Sequence, residues 1–400
     1  METVVITGMD VSYAAEVIQR GGLVAVPTET VYGLAGNGLD AGAVAKIYDV
    51  KGRPEVKPLS LLVPDLYAVD AFCDKVPWSS RKLAKAYWPG PLTIVLPCNG
   101  SVPAIVTAGG STIGVRCPDH PKTLELLRLA GVPLAAPSAN ISGMRSPKSA
   151  REVLDHLDGK IDCVIDGGTC EIGVESTIVS LADEQYAILR RGALPESDIA
   201  KVLSEIYIIG ITGGTGSGKT SALRALGKLG ALTLDCDAIY HQLLAENTGL
   251  KSELEARFTG ITENGEIDRK QLSGKVFGYP ESLRDLNKIT HKYVSAEIEL
   301  RIGQWKAQGG KVAAVDAIAL IESGRAEKCD LTIGVAAPKE TRIDRIMKRD
   351  KITREHAEMR IDAQKPDSFY KEYCDYVLEG DCDTTEEFEE KCDAFFRKYI

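Results

Sequence analysis

The chain has 400 residues, too many for one ordinary core, and usual domain sizes point to two or three domains. Apolar residues make up 44% and charged residues 26%, the balance of a water-soluble globular protein, and no apolar run is long enough to span a bilayer. The net charge is −9, with 19 basic against 23 acidic residues in 1–204 and 29 against 34 in 205–400, which excludes a polycation that holds nucleic acid by bulk attraction.

The opening "METVVITGMD" has no basic n-region and no small-residue cleavage site, so it reads as a first strand rather than a signal peptide. Short β-branched runs follow: "GLVAVP", "LTIVLP", "TIGVRCP", "CVIDGG" and "STIVSL". They alternate with helical patterns such as "VSYAAEVIQR" and "AGAVAKIYDV", which predicts a twisted mixed α/β sheet. Many runs end in Pro or Gly, as in "YWPGPLT" and "AAPSANISG", so loops gather at strand ends where a site can form. "YAILRRGALPESDIAKVLSE" reads as a last strand, a turn and a closing helix with Ser197 as N-cap.

The pattern then restarts. "IYIIGIT", "ALTLDCD", "KVAAVDAIAL", "LTIGVAA" and "YVLEG" are strands separated by long amphipathic helices, the order of a parallel sheet wrapped on both faces. We therefore expect two α/β domains, 1–204 and 205–400, abutting near Ser204–Glu205. Ten scattered cysteines show no Cys-x-x-Cys and no nearby His, so they read as reduced thiols of a cytoplasmic protein rather than a zinc or disulfide framework.

Chemistry is most legible in the second half. "GGTGSGKT" (Gly213, Gly214, Thr215, Gly216, Ser217, Gly218, Lys219, Thr220) fits G-x-x-x-x-G-K-[ST] between a strand and a helix, the context a P-loop requires. Its backbone N–H groups would cradle phosphates, Lys219 would reach the β- and γ-phosphates and the Thr220 hydroxyl would hold Mg²⁺. "DCD" places Asp235 and Asp237 at a strand end, facing the ligand crevice of a parallel sheet or capping the next helix. "RIMKRDKITREHAEMRIDAQ" reads as an arginine-rich helical lid. Arg345 and Arg349 lie four apart with Arg360 behind them, the alternative being a solvated hairpin laced with salt bridges.

Taken together, "GITGGTGSGKT", "DCD", "IDRKQL", "LNKITHKYV", "KRDKITREHA" and "RIDAQ" over 206–400 resemble the dephospho-CoA kinase family. The resemblance implies a P-loop NTPase parallel sheet flanked by helices with a helical lid, and transfer of the ATP γ-phosphoryl group to the ribose 3′-hydroxyl of dephospho-CoA. It makes Lys219 and Asp237 catalytic, with Asp237 the base or hydroxyl-orienting group. Asp235, Asp237, Arg269 and His291 would hold the acceptor, and Arg345 and Arg349 would join the P-loop on ATP. One departure stands in "IALIE", Ile318 to Glu322, where the family usually has Pro-Leu-Leu-aromatic-Glu.

The first half has no P-loop. "PTETVYGL" closes a strand, and Lys51, Arg53 and Lys57 follow on a loop pinned by Pro54 and Pro58, either a polyanion site or a solvated basic loop. Arg116 lies inside an apolar strand, where a buried guanidinium needs an anionic partner. "APSANISG", Ser146, "GVESTIVSL" and "LRRGALP" add small polar groups and Arg190 and Arg191 at strand ends.

These motifs, with "KGRP", "KPLSLLV", "WPGPLT" and "VRCPDHP", resemble the YrdC/Sua5 family of L-threonylcarbamoyladenylate synthases over nearly all of 1–204, in a short form with the kinase-like half where longer members have another domain. A YrdC-like sheet and a reaction of L-threonine, bicarbonate or CO₂, and ATP to threonylcarbamoyl-AMP and pyrophosphate are implied, serving tRNA adenosine-37 modification. By the resemblance, Lys51, Arg53, Thr112, Asn140, Ser146 and Arg190 would contact ATP, with Lys51 and Arg53 catalytic. Thr30, Arg116, Ser138 and Ser176 would hold threonine, and Mg²⁺ would ride on the triphosphate. The product would pass to the tRNA threonylcarbamoyl transferase complex, with no direct tRNA binding and no membrane required. The competing reading is an RNA-binding module joined to another P-loop small-molecule kinase; the lack of basic–aromatic interleaving weighs against it.

Overall fold

Alternating small and β-branched residues in the first half build ten short strands. They are β1 (Val4–Ile6), β2 (Val24–Val26), β3 (Gly33–Asn37), β4 (Ser60–Leu62), β5 (Leu92–Pro97), β6 (Thr112–Arg116), β7 (Leu134–Ala135), β8 (Cys163–Ile165), β9 (Thr177–Ser180) and β10 (Ala187–Arg190). The computed structural model describes residues 2–183, 185–276, 278–382 and 384–400. One unit ends at Ser204 and a second begins at Glu205.

The ten strands form one sheet in the order β1-β8-β2-β3-β7-β4-β6-β5-β9-β10. Parallel pairs such as β4–β6 and β5–β9 sit beside antiparallel ones such as β2–β3 and β5–β6, the mixed sheet expected. Successive side chains point to opposite faces, and both faces are covered. Leu23, Ala25, Leu34, Leu61 and Val164 enter one core; Val24, Val26, Ala35, Leu62 and Cys163 enter the other. The first core also takes residues of helices Ala41–Lys51 and Ala150–Leu157, and the second those of Ser12–Gln19 and Pro121–Ala130.

The closing helix runs Glu196–Leu203, but Ser197 does not cap it. Pro195 holds the N-cap position with extended backbone, which starts the helix before Ser197, and the Ser197 hydroxyl bonds Asp198 instead.

In the second unit, β11 (Tyr207–Thr212), β12 (Leu232–Asp235), β15 (Val312–Asp316), β16 (Leu331–Ala336) and β17 (Tyr376–Glu379) form an all-parallel sheet in the order β12-β15-β11-β16-β17. A small hairpin, β13 (Thr262–Glu263) with β14 (Glu266–Ile267), lies outside it. The P-loop strand β11 is central, so the loops at its carboxyl end open onto the crevice where such sheets bind ligands. The predicted lid is a pair of helices, Lys339–Asp350 and Arg354–Asp362, joined by Lys351 in a left-handed conformation and packed through Ile343, Ile346, Ala357 and Ile361.

Candidate active sites

The β11 strand delivers the chain into Gly213–Gly218, and the following helix runs Lys219–Lys228. A Cβ at Gly213 would lie 2.3 Å from the Val335 carbonyl oxygen, and Gly213 and Gly218 both have positive φ (144° and 114°), so glycine is required at both. The loop encloses a cavity of about 460 Å³ lined by Lys219, Thr220, Asp235, Asp237, Arg345 and Arg349 among others. With Thr215, Gly216 and Gly218, nine site residues predicted from sequence therefore share one cavity.

Their roles divide. Asp235 caps helix Cys236–Glu246, its Oδ1 accepting from the N–H groups of Asp237 and Ala238 at 2.9 and 3.0 Å. No such local bond occupies the Asp237 side chain among the described residues, and it borders both this cavity and the next. Lys219 Nζ folds onto the carbonyls of Gly213 (2.9 Å) and Gly214 (3.3 Å), and burial lowers its pKa. Arg345 donates to the carbonyls of Gly216 and Gly380. Arg349 pairs with Asp350, as does Arg360, which lies outside the cavity lining and takes the salt-bridged reading.

Three residues of this site were missed. Asp316 ends β15 in register with Asp235 on the neighbouring strand, is 8% exposed and lines the cavity. Burial pushes its pKa up to about 7, with Lys219 pulling down and Asp235 and Asp237 pushing up. Arg342 and Gln364 fasten the loop from the lid: Arg342 Nε donates to the Thr215 carbonyl at 2.9 Å, and Gln364 Oε1 accepts from the Thr215 N–H at 2.9 Å. "DAIAL" following a strand and the Gln of "RIDAQ" were the available signals.

A second cavity, about 340 Å³, shares Asp237, Ala317 and Ile318 with the first and contains His291, whose pKa burial lowers. Arg269 lines a third, largely apolar groove that meets the second at Tyr240 and Leu286. The sequence departure thus falls, at Ile318, on the wall between the first and second cavities. There Ile318 is anchored by its carbonyl, which accepts from the Thr212 hydroxyl at 3.0 Å.

In the first unit a cavity of about 270 Å³ is lined by Arg53, Arg116, Ser138, Ser176 and Arg190, together with Glu175. The anionic partner of Arg116 is Glu29, in "PTETV": Nη2 donates to Glu29 Oε1 at 2.7 Å and to the Thr30 hydroxyl at 2.8 Å, while Nε donates to the Gly90 carbonyl at 3.1 Å. Both members of the pair are buried. The other Glu29 oxygen accepts from the Asp119 N–H at 3.0 Å. Among the described residues Nη1 has no protein acceptor, which leaves one edge of the guanidinium for a ligand anion.

Arg190 donates to Glu175, to the Ser176 carbonyl at 2.8 Å and to its hydroxyl at 3.0 Å, whereas Arg191 points out to Glu196 and is 82% exposed. Glu175 also accepts from Ser146 Oγ at 2.7 Å, which brings Ser146 against the cavity. Lys51 lies beneath, its Nζ on the carbonyls of Ser138 and Asn140 and its pKa lowered by burial to about 8. Asn140 is buried with it. Lys57 is exposed and does not join the other two cations, and Thr112 stands at the end of β6 away from Arg116; neither lines the cavity. Glu29 and Glu175 are the functional candidates that the sequence reading passed over.

The Sua5/YciO/YrdC family profile, described as telomere recombination, matches residues 16–192, and the CoaE profile, described as dephospho-CoA kinase, matches residues 207–386. The chain is 35% identical to a threonylcarbamoyl-AMP synthase of Cellvibrio japonicus over 39% of its own length and 83% of the relative's. It is 37% identical to a dephospho-CoA kinase of Dehalococcoides mccartyi over 44% of its own length and 89% of the relative's. The chain belongs to both families. To the threonylcarbamoyl-AMP synthase of Pyrococcus abyssi the Sua5/YciO/YrdC unit is 48% identical, covering 49% of this chain and 57% of the relative. The chain spans only about half the length of several such synthases. A solved P. abyssi Sua5 variant superposes with a TM-score of 0.50 at 28% identity, covering 83% of this chain and 98% of that one. In the CoaE unit, as elsewhere among the described residues, no helix is long and apolar enough to cross a membrane.

Proposed function

We propose that the chain is a bifunctional enzyme, with a threonylcarbamoyl-AMP synthase in 1–204 and a dephospho-CoA kinase in 205–400. The observation that carries this reading is the presence of a cation-walled cavity in each unit, one built on a P-loop and the other on Arg53, Arg116 and Arg190.

In the synthase, the free edge of Arg116 takes the threonine carboxylate, with Thr30, Ser138 and Ser176 around it. The amine gives up a proton and captures CO₂ as a carbamate, whose oxygen attacks the α-phosphorus of ATP as pyrophosphate leaves. Such a reaction needs alignment and charge neutralisation more than a nucleophilic side chain. Arg53 and Arg190 supply positive charge at the cavity wall, and Lys51 supplies it from beneath.

In the kinase, nucleotide phosphates replace the carbonyls that hold Lys219, and Arg345 and Arg349 close from the lid. Asp237 orients the acceptor hydroxyl and takes its proton as the γ-phosphoryl group transfers. Mg²⁺ enters with the nucleotide as part of the substrate. The Thr220 hydroxyl and the carboxylates of Asp235, Asp237 and Asp316 are hard oxygen donors lining one cavity, but among the described residues they do not gather into a three-carboxylate metal cluster, so the nucleotide phosphates would supply much of the ion's coordination.

Threonine- and bicarbonate-dependent pyrophosphate release tests the first activity. For the second, dephospho-CoA is offered beside a panel of nucleosides, and preference for a nucleoside would refute the assignment. Hand-over of threonylcarbamoyl-AMP to a tRNA threonylcarbamoyl transferase complex follows from the first reading.

A further inference from the structure

The 340 Å³ cavity beside the P-loop has a polar stripe on one wall, Asn287, His291 and Ser295, spaced to share one face of helix Pro280–Ala307. At one end stand Arg325 and Lys328, on a short 3₁₀ turn that Gly324 starts from a left-handed conformation (φ 73°). Arg325 Nη1 reaches Ser295 Oγ at 3.3 Å.

The carboxylate serving these two cations is shared. Glu299 Oε1 accepts from Arg325 Nη2 at 3.4 Å and from Lys328 Nζ at 3.3 Å. Both contacts lie beyond the usual range for such bonds, and the Glu299 side chain is 49% exposed. The charged residues that line the cavity are Arg325, Lys328 and Asp237, whereas Glu299 and the exposed Glu327 of the same turn do not line it. The Arg325 side chain is only 10% exposed, so its charge is weakly screened. Cys236 and Asp237 line this same cavity, so Arg325 shares it with the carboxylate assigned to the acceptor hydroxyl.

We propose that Arg325 and Lys328 form the subsite for the 5′-diphosphate of the acceptor nucleotide. The inference rests on reading this unit as a dephospho-CoA kinase. The reacting 3′-oxygen and the 5′ substituent hang from one ribose ring, so an acceptor with its 3′-oxygen at Asp237 carries its diphosphate into the same cavity. A diphosphate outcompetes Glu299 because it offers more charge and more oxygens to the planar guanidinium fork. Recognition there selects a 5′-diphosphate ester over a bare nucleoside.

The test uses the full chain with dephospho-CoA and with adenosine, which lacks the diphosphate, as alternative acceptors. Loss of a charge-assisted hydrogen bond is expected to lower the ratio of kcat/KM for dephospho-CoA to that for adenosine by roughly ten- to a hundredfold in Arg325→Ala. The change falls on the KM for dephospho-CoA while the KM for ATP holds. Lys328→Ala shows a smaller drop in the same direction, and Arg325→Lys recovers part of the loss. An unchanged ratio, with both acceptors affected alike or neither affected, overturns the subsite. If the unaltered chain rejects dephospho-CoA and phosphorylates another alcohol, the kinase reading itself fails and the subsite with it.

Discussion

Replacing Asp316 with Asn removes a charge that the fold buries at a cost. The carboxyl is raised from 3.8 to about 7, chiefly by burial, and its side chain makes no hydrogen bond among the described residues that Asn would forfeit. The native state therefore holds the proton more tightly than the unfolded chain does. Stability of this unit falls as pH rises from about 4, and the fall ends once pH passes about 7. A rise from 3.8 to about 7 corresponds to about 4 kcal/mol at pH 8, shrinking to well under 1 kcal/mol near pH 4. Asp316→Asn is thus expected to stabilise the CoaE unit by up to about 4 kcal/mol at pH 8 and hardly at all at pH 4. Native-state hydrogen exchange at β15, in the intact chain over a urea series, reads that difference directly. The same variant should lose the rise of kinase kcat/KM through pH about 7 that an ionising Asp316 produces. Equal stabilisation at both pH values, or destabilisation at pH 8, would refute the reasoning.

Glu29→Gln leaves Arg116 without its buried counter-charge and is expected to destabilise the Sua5/YciO/YrdC unit by about 3–5 kcal/mol, seen as a lower thermal midpoint; a shift below about 1 °C would exclude the pair as a stabilising element. L-threonine, whose carboxylate supplies a replacement anion, should raise the midpoint of that variant more than that of the parent. Arg190→Ala should raise the KM for ATP of pyrophosphate release roughly tenfold or more, whereas Arg191→Ala, on an 82% exposed side chain, should stay within about twofold. Equal effects at the two positions would contradict the assignment of Arg190 alone to the cavity.

What was legible in the sequence is what short segments determine. "GGTGSGKT" encodes its own backbone conformation, so eight consecutive residues suffice to locate a phosphate cradle and its flanking strand and helix. The five parallel strands of the second unit were readable because each is a run of β-branched residues between amphipathic helices. The strand-end position of Asp316 was readable from "DAIAL", but its pairing was not, because the register of β15 against β12 is what sets it beside Asp235. Arg116 announced its need for an anion through its place in an apolar strand. That the anion is Glu29 depends on a contact across 87 positions that no local pattern reports. Ser197 shows the opposite failure: a good capping residue was overruled by Pro195, whose fixed backbone starts the helix earlier. Lys57 and Arg191 resemble their neighbours Arg53 and Arg190 in charge, and only the direction of the chain at each residue decides which of them meets the cavity.

The most direct test of two independent ATP-using sites measures both reactions on one preparation of the intact chain and on its Lys219→Ala variant. The intact chain should release pyrophosphate in the presence of threonine and bicarbonate and should also phosphorylate dephospho-CoA. The variant should lose the kinase reaction and keep pyrophosphate release within a few-fold, about 1 kcal/mol in transition-state energy. Absence of either reaction from the intact chain, or loss of both together in the variant, would contradict the account.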